Sequence, residues 1–170
     1  MSARAAWRLE QLGFEDVYDY VPSKVDWFAC AMPRAGSAAG VPWALDHLRT
    51  APTCSPDDRL GDVSERVRES GDDFCAVVFG EEDVVLGLLR GDALLKDPES
   101  RVDEVMELGP ATTRPSEPLE ELLKSNEAVG VKRFFVATSH GAFLGVLDRE
   151  VAERAVEEWR ASSDMEKSST

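Results

Sequence analysis

The feature that most constrains this chain is that it carries one pattern twice. The stretch CSPDDRLGDVSERVRESGDDFCAVVF, beginning at Cys54, runs in step with TRPSEPLEELLKSNEAVGVKRFFVAT, beginning at Thr113. Pro56 falls on Pro115, Leu60 on Leu119, Val63 on Leu122, Gly71 on Gly130 and Val77 on Val136, each pair 59 positions apart. One residue is lost in the next turn, so Gly87, Leu88 and Leu89 fall on Gly145, Val146 and Leu147 at an offset of 58. Paired prolines, paired glycines and a common apolar frame in one order mark an internal repeat.

Each copy reads as strand, helix, strand, strand, helix. A short strand around Thr53, or around Thr112 and Thr113, ends at a proline turn. Leu60, Val63 and Val67 then share one helical face, as do Leu119, Leu122 and Leu123. Asp57 or Asp58 is expected to cap the first helix and Ser116 the second. Gly71 and Gly130 are expected to end them in a left-handed conformation. Two hairpins follow, FCAVVF to VVLGLL through GEED and RFFVAT to FLGVL through SHG. GDALLKD and REVAERAVEEWRAS are the closing helices. A three-stranded sheet with two helices in about 60 residues is marginal alone. The expected fold is therefore mixed α/β (α+β): two β-α-β-β-α units, related by a pseudo-twofold axis and packed through their sheets. Residues 52–97 form the first unit and 98–161 the second. Residues 1–34 precede them, 35–51 (AGSAAGVPWALDHLRTA) read as a linker, and 162–170 as a disordered tail.

A net charge of −14 disfavours nucleic acid and anionic membrane surfaces as partners. No run of about 18 apolar residues exists to cross a bilayer. The start, MSARAAWRLEQLGF, lacks the apolar run of a secretory signal, so a cytoplasmic location is expected. Cys30, Cys54 and Cys75 form no C-x-x-C pair and read as free thiols, with Cys75 a small core residue. His47, in the linker, is expected to be solvated. With only His47 and His140, no zinc site is expected. No phosphate-binding glycine loop and no G-x-S-x-G elbow occur. His140 beside Ser139 in one tight turn cannot assemble a triad. The acidic groups Asp57–Asp58, Asp72–Asp73, Glu81–Glu82–Asp83 and Glu157–Glu158 lack calcium-loop spacing and read as solvated surface. No metal site and no catalytic residue is expected.

VDEVMELGPATTRPSEPLEELL resembles the opening of a cystathionine-β-synthase-type (CBS) domain, with its V-x-x-V-M turn, strand ending in Thr, proline and apolar helix. GVKRFFVATSHGAFLGVLDRE resembles the remaining half of such a domain. The first copy matches more loosely and lacks the V-M turn. The resemblance covers residues from about 51 to 160. It implies a tandem CBS pair, a disc-like, homodimerising regulatory module. Such pairs sense AMP, ATP, S-adenosylmethionine or related adenosyl compounds between their sheets. It also implies a ligand motif, Gly-apolar-apolar-Thr-x-x-Asp, whose Thr and Asp hold ribose hydroxyls. In the second copy the Gly is Gly145, while Asp148 stands at the Thr position and Val151 at the Asp position. In the first copy the Gly is Gly87, and Arg90 and Ala93 stand at those positions. Both ribose-binding carboxylates are thus displaced. The candidate ligand residues are Thr112, Thr113, Val136, Gly145, Asp148, Arg149 and Arg90. Asp148 could substitute for the missing acid, and Arg90 and Arg149 could meet phosphates. As solvated residues at helix starts they would do neither. Two readings stay open: an adenosyl sensor, or a ligand-free dimerisation and interaction module of the same fold.

SARAAWRLEQLGFEDVYDYVPSKVDWFACAMP is similar to the C-terminal part of a rhodanese-like domain. The likeness implies a helix over Ala5–Leu12, a Gly13–Phe14 joint, a strand over Val17–Tyr20 and a buried Trp27. Cys30 lies on the wrong side of that helix to be the sulfur-transfer nucleophile. The segment is expected to serve structurally, with Trp7, Phe14, Tyr18, Tyr20, Trp27 and Phe28 packing as core onto the repeats or onto a partner chain. The chain is expected not to be an enzyme.

Overall fold

The computed structural model describes residues 3–18, 27, 32 and 40–168. The chain divides into two compact units, Met1–Ala39 and Gly40–Thr170. In the first, α1 spans Ala3–Gln11. It ends where Gly13 adopts φ +91°, a left-handed turn suited to glycine. The Gly13 N–H donates to the Glu10 carbonyl and that of Phe14 to Leu9. Helix and joint are therefore where the sequence places them. Val17 and Tyr18 are not in a strand. Trp7 and Phe14 are each 59 % exposed and Tyr18 84 %, so these three rings are not buried within their own unit. Asp19, Tyr20, Phe28 and Cys30 lie outside the described residues.

The second unit contains the repeat. Its first half runs β1 (Thr53–Cys54), α2 (Leu60–Ser70), β2 (Phe74–Phe79), β3 (Val84–Arg90) and a 3₁₀ turn (Gly91–Leu95). Then come α3 (Val102–Val105) and β4 (Glu107–Leu108). The second half runs β5 (Thr112–Thr113), α4 (Leu119–Ser125), β6 (Arg133–Ala137), β7 (Phe143–Asp148) and α5 (Arg149–Ser168). The sheets have orders β1-β2-β3-β4 and β5-β6-β7, with β1–β2 and β5–β6 parallel and the remaining pairs antiparallel. Equivalence extends to irregularities. The register slips between Val77 and Val78 and, 59 positions on, between Val136 and Ala137. Val77 pairs with Cys54 and Gly87, and Val136 with Thr113 and Gly145. The Val84–Ala142 bridge joins two equivalent residues and so lies on the pseudo-twofold axis.

Each half has its own core. Leu60, Val63 and Val67 of α2 pack on Cys54, Cys75, Val77, Leu89 and Val102. Leu119 and Leu122 of α4, with Ala152, Ala155 and Val156 of α5, pack on Phe134, Val136 and Leu147. The spacing of the α5 residues makes a single helical stripe. A third cluster of Phe74, Leu88 and Val146, flanked by Ala51, Phe135 and Phe143, joins the halves. Phe74 and Phe135 meet edge to face at 5.3 Å. Cys75 is fully buried, and its thiol pKa is pushed far up by hydrogen bonding with Cys54 and by burial.

The boundaries differ from those read in the sequence, because the segment leading into each copy packs on the other copy. Residues 40–51 are not a free linker. The Ala44 and Leu45 N–H groups donate to Glu117 and Pro115, the Leu119 N–H donates to Pro42, and Arg49 exchanges both backbone bonds with Val146. Val102 and Asp103 donate likewise to Asp58 and Pro56, and Leu60 to Ser100. The second copy's leading segment therefore completes the first half, whose sheet gains β4 as a fourth strand. These carbonyls also explain the caps. The Leu60 and Leu119 N–H groups at the helix starts already have backbone acceptors, so neither Asp57, Asp58 nor Ser116 caps. Gly71 ends α2 at φ +76° as expected, but α4 stops earlier, at Asn126, ahead of Gly130. GDALLKD forms only the 3₁₀ turn, and His47 is half-buried. The closing helix continues to Ser168, through residues expected to be disordered.

The crossing requires glycine on the strand beneath. A Cβ on Gly145 would lie 2.6 Å from the Arg49 carbonyl oxygen, and Gly145 adopts φ +142°. A Cβ on Gly87 would lie 2.8 Å from the Glu107 carbonyl oxygen and 2.7 Å from the Met106 sulfur. Gly145→Ala should destabilise the fold by about 1–3 kcal/mol, the usual scale of overpacking, as a lowered urea midpoint with unchanged slope.

Candidate functional site

The repeat makes two regions equivalent, one beside each strand end that follows Gly87 or Gly145, and the first of them holds a cleft. The first is an open cleft of about 1210 Å³. One wall is α2 and the 3₁₀ turn, with Val67, Ala93 and Leu94; the other, from the second half, has Val131 and Phe135. Arg68, Lys96 and Lys132 also line it, and none has an ion-pair partner among the described residues. The lining carboxylates are mostly engaged: Glu107 with Arg90 at 2.8 Å, Asp72 with Arg49 at 2.8 Å, and Asp73 with Arg133. Asp92 has no such partner among the described residues. On a chain of net charge −14, this cleft presents unneutralised cations.

The equivalent region of the second half is ionically cross-linked. The Arg49 Nε donates to Asp148 at 2.6 Å and its Nη2 to Asp72 at 2.8 Å. The Arg133 Nε donates to the other Asp148 oxygen at 3.2 Å, and its Nη1 to Asp73. Both guanidiniums stand over the Phe74 ring, at 5.8 and 5.1 Å from its centre. The hydrogen bond with Asp148, partly opposed by desolvation, raises the Arg49 pKa further, so it stays charged throughout the folded range. Arg149 turns back to donate to the Asn126 and Val131 carbonyls and to Glu153.

Of the residues singled out by sequence, Arg90 lines the first cleft and pairs with Glu107. Asp148 and Arg149 belong to the ionic cluster and its neighbour in the second half. Gly145 lies under the Arg49 carbonyl. Val136 is fully buried in the second core. Thr112 is exposed and Thr113 half-buried on β5, and neither lines the first cleft. The sequence reading missed Arg49, Arg68, Asp72, Lys96, Lys132 and Arg133. Part of the signal was there: carried upstream, the repeat sets Arg49 on Glu107 and Leu48 on Met106 at an offset of 58. Read that way, the Arg90–Glu107 pair of one half becomes the Asp148–Arg49 pair of the other, with charges exchanged.

Solved structures share this architecture. The CBS domains of a transcriptional regulator from Streptococcus pneumoniae superpose with a TM-score of 0.60 at 18 % identity, over 67 % of this chain and 98 % of that one. CBSX2, in a complex with AMP, superposes with a TM-score of 0.58 at 19 % identity, over 69 % and 98 %. The fold is that of a CBS-domain pair. The CBS-domain pair of MJ0100, in complex with 5′-methylthioadenosine and S-adenosyl-L-methionine, gives a TM-score of 0.56 at 14 % identity, over 69 % and 98 %. No protein-family model and no curated protein sequence matches the chain. The rhodanese likeness of residues 1–34 therefore rests on the sequence alone. Among the described residues, no helix is long and apolar enough to cross a membrane, and no group of three or more His, Cys, Asp or Glu is placed to hold a metal ion.

The ionic cluster should matter to stability more than the surface pairs do. The Asp72 side chain is only 12 % exposed, so removing its guanidinium partner strands a largely desolvated carboxylate. Arg49→Ala should cost about 1–2 kcal/mol, whereas Arg90→Ala, at an exposed pair, should cost less than about 1 kcal/mol. Urea unfolding of the two variants checks the ranking.

Proposed function

We propose that this CBS pair is a non-catalytic regulatory module that binds an anionic adenosyl ligand in its first cleft. The observation that carries the reading is the composition of that cleft: Arg68, Lys96 and Lys132 without ion-pair partners, beside the apolar wall of Val67, Val131 and Phe135. A flat base suits the apolar wall, and a phosphate chain suits the cations. Bound AMP and S-adenosyl-L-methionine in similar folds support the ligand class. So does ATP bound to the cytosolic domain of the Mg2+ channel MgtE, which superposes with a TM-score of 0.54 at 19 % identity. With Arg90 and Ala93 at the positions where such motifs carry Thr and Asp, recognition rests on the charged and apolar ends of the ligand rather than on the ribose. Buried free thiols at Cys54 and Cys75 agree with a reducing, cytoplasmic setting.

Thermal melts with AMP, ATP and S-adenosylmethionine test this. A specific ligand at about 100 times its dissociation constant should add about 2.7 kcal/mol. Lys132→Ala should weaken that ligand at least about tenfold, an effect shrinking with added salt. If none of the three raises the melting temperature, the sensor reading fails.

The second reading, an interaction module acting as a homodimer, draws on Phe79, Leu95, Leu108 and Val129, which are 61 %, 82 %, 77 % and 73 % exposed. Light scattering should then give twice the chain mass of 18.7 kDa at micromolar concentration, and a monomer mass would end that reading.

A further inference from the structure

Within this one chain, the two halves provide an internal control for what an open cleft requires. At the strand end of the first half, Gly91 follows Arg90; at the same place in the second half, Arg149 follows Asp148. In the first half, the space between Gly91, Val67 and Asp72 belongs to the cleft. In the second half the equivalent space lies between Arg149, Asn126 and Val131. There the Arg149 side chain fills it, its Nη1 3.3 Å from the Asn126 carbonyl oxygen and 3.2 Å from that of Val131.

The cross-ties follow the same asymmetry. Arg49 spans from the strand end of the second half, at Asp148, to Asp72 of the first half. The equivalents of Arg49, Asp148 and Asp72 are Glu107, Arg90 and Val131. Glu107 and Arg90 pair within the first half, but Val131 offers no charge for a tie across the cleft. Arg133 makes a second tie, to Asp148 and Asp73. Its own equivalent is Phe74, which cannot make an ionic tie to Arg90.

We propose that the second cleft is closed by the Arg149 side chain and by the Arg49 and Arg133 ties, so that each chain takes one aromatic anion, in the first cleft. The residues that decide the number of sites are Arg149 against Gly91, Asp72 against Val131 and Arg133 against Phe74. The inference rests on the proposed ligand class for its natural ligand, but not for its geometry, and two probes separate these.

Isothermal titration with ATP and with 1-anilinonaphthalene-8-sulfonate, an aromatic anion that is no nucleotide, should each give one site per chain in the unaltered protein. The variant Arg149→Gly with Asp72→Val and Arg133→Phe, which gives the second cleft the residues of the first at these three positions, should give two. Arg149→Ala alone, which keeps the ionic ties, should stay at one site. Circular dichroism melts establish that each variant is folded. One dye site without ATP binding would exclude ATP as the ligand and leave the single-site inference standing. Two sites in the unaltered protein, or no binding of either probe, overturns the inference whether or not the variants fold. So does a folded triple variant that stays at one site.

Discussion

The structure depends on the close passage of one backbone over another. The segment before each repeat crosses to the other half and lies on a strand of it, with Arg49 over Gly145 and Glu107 over Gly87. Only a residue without a Cβ leaves room for a carbonyl oxygen at that distance. The crossing supplies acceptors for the first N–H groups of α2 and α4, adds a strand to the first sheet, and seals both cores with Ala44 and Val102. Each half is thus completed by chain from outside its own repeat. A shared cluster of Phe74, Leu88 and Val146 also joins the halves.

The same crossing positions the charges. Arg49 and Glu107 arrive at equivalent places beside the two strand ends, and each meets the residue that follows the glycine and its two apolar neighbours. One half therefore has Arg90 with Glu107 and the other Asp148 with Arg49. The pairs are alike in geometry and opposite in sign. Their surroundings separate them: Asp72 and Arg133 extend the second into a network, while Val131 and Phe74 leave the first open. A duplicated scaffold can thus hold two environments, since its backbone is fixed by a few glycines and apolar positions while the polar positions are free to diverge. One half thereby keeps an open cleft while the other is cross-linked by ion pairs.

Much of this was legible in the sequence. Pro56 and Pro115, Gly87 and Gly145, and Val77 and Val136 mark positions where turn geometry, close approach and core packing restrict the residue strictly. The repeat was visible for that reason. The site was far less legible. Thr112, Thr113 and Val136 were chosen by motif position, yet Val136 is enclosed in a core and the two threonines sit on the edge strand β5 away from the first cleft. Arg68, Lys96 and Lys132 look like ordinary surface cations in a linear reading, and only shared exposure to one cavity unites them.

The sequence by itself determined the fold class, the hairpins, the core faces of the helices and the pseudo-twofold relation. These follow from local periodicity and from residues with restricted backbone or volume, which act over short spans. Only the tertiary structure decided that residues 40–51 and 98–108 are exchanged between halves, and which charges find partners. An ion pair such as Arg49 with Asp148 joins residues 99 positions apart, and no local rule selects one carboxylate over another at that separation. Proximity set by the packed cores makes that choice, and with it which cleft is left open.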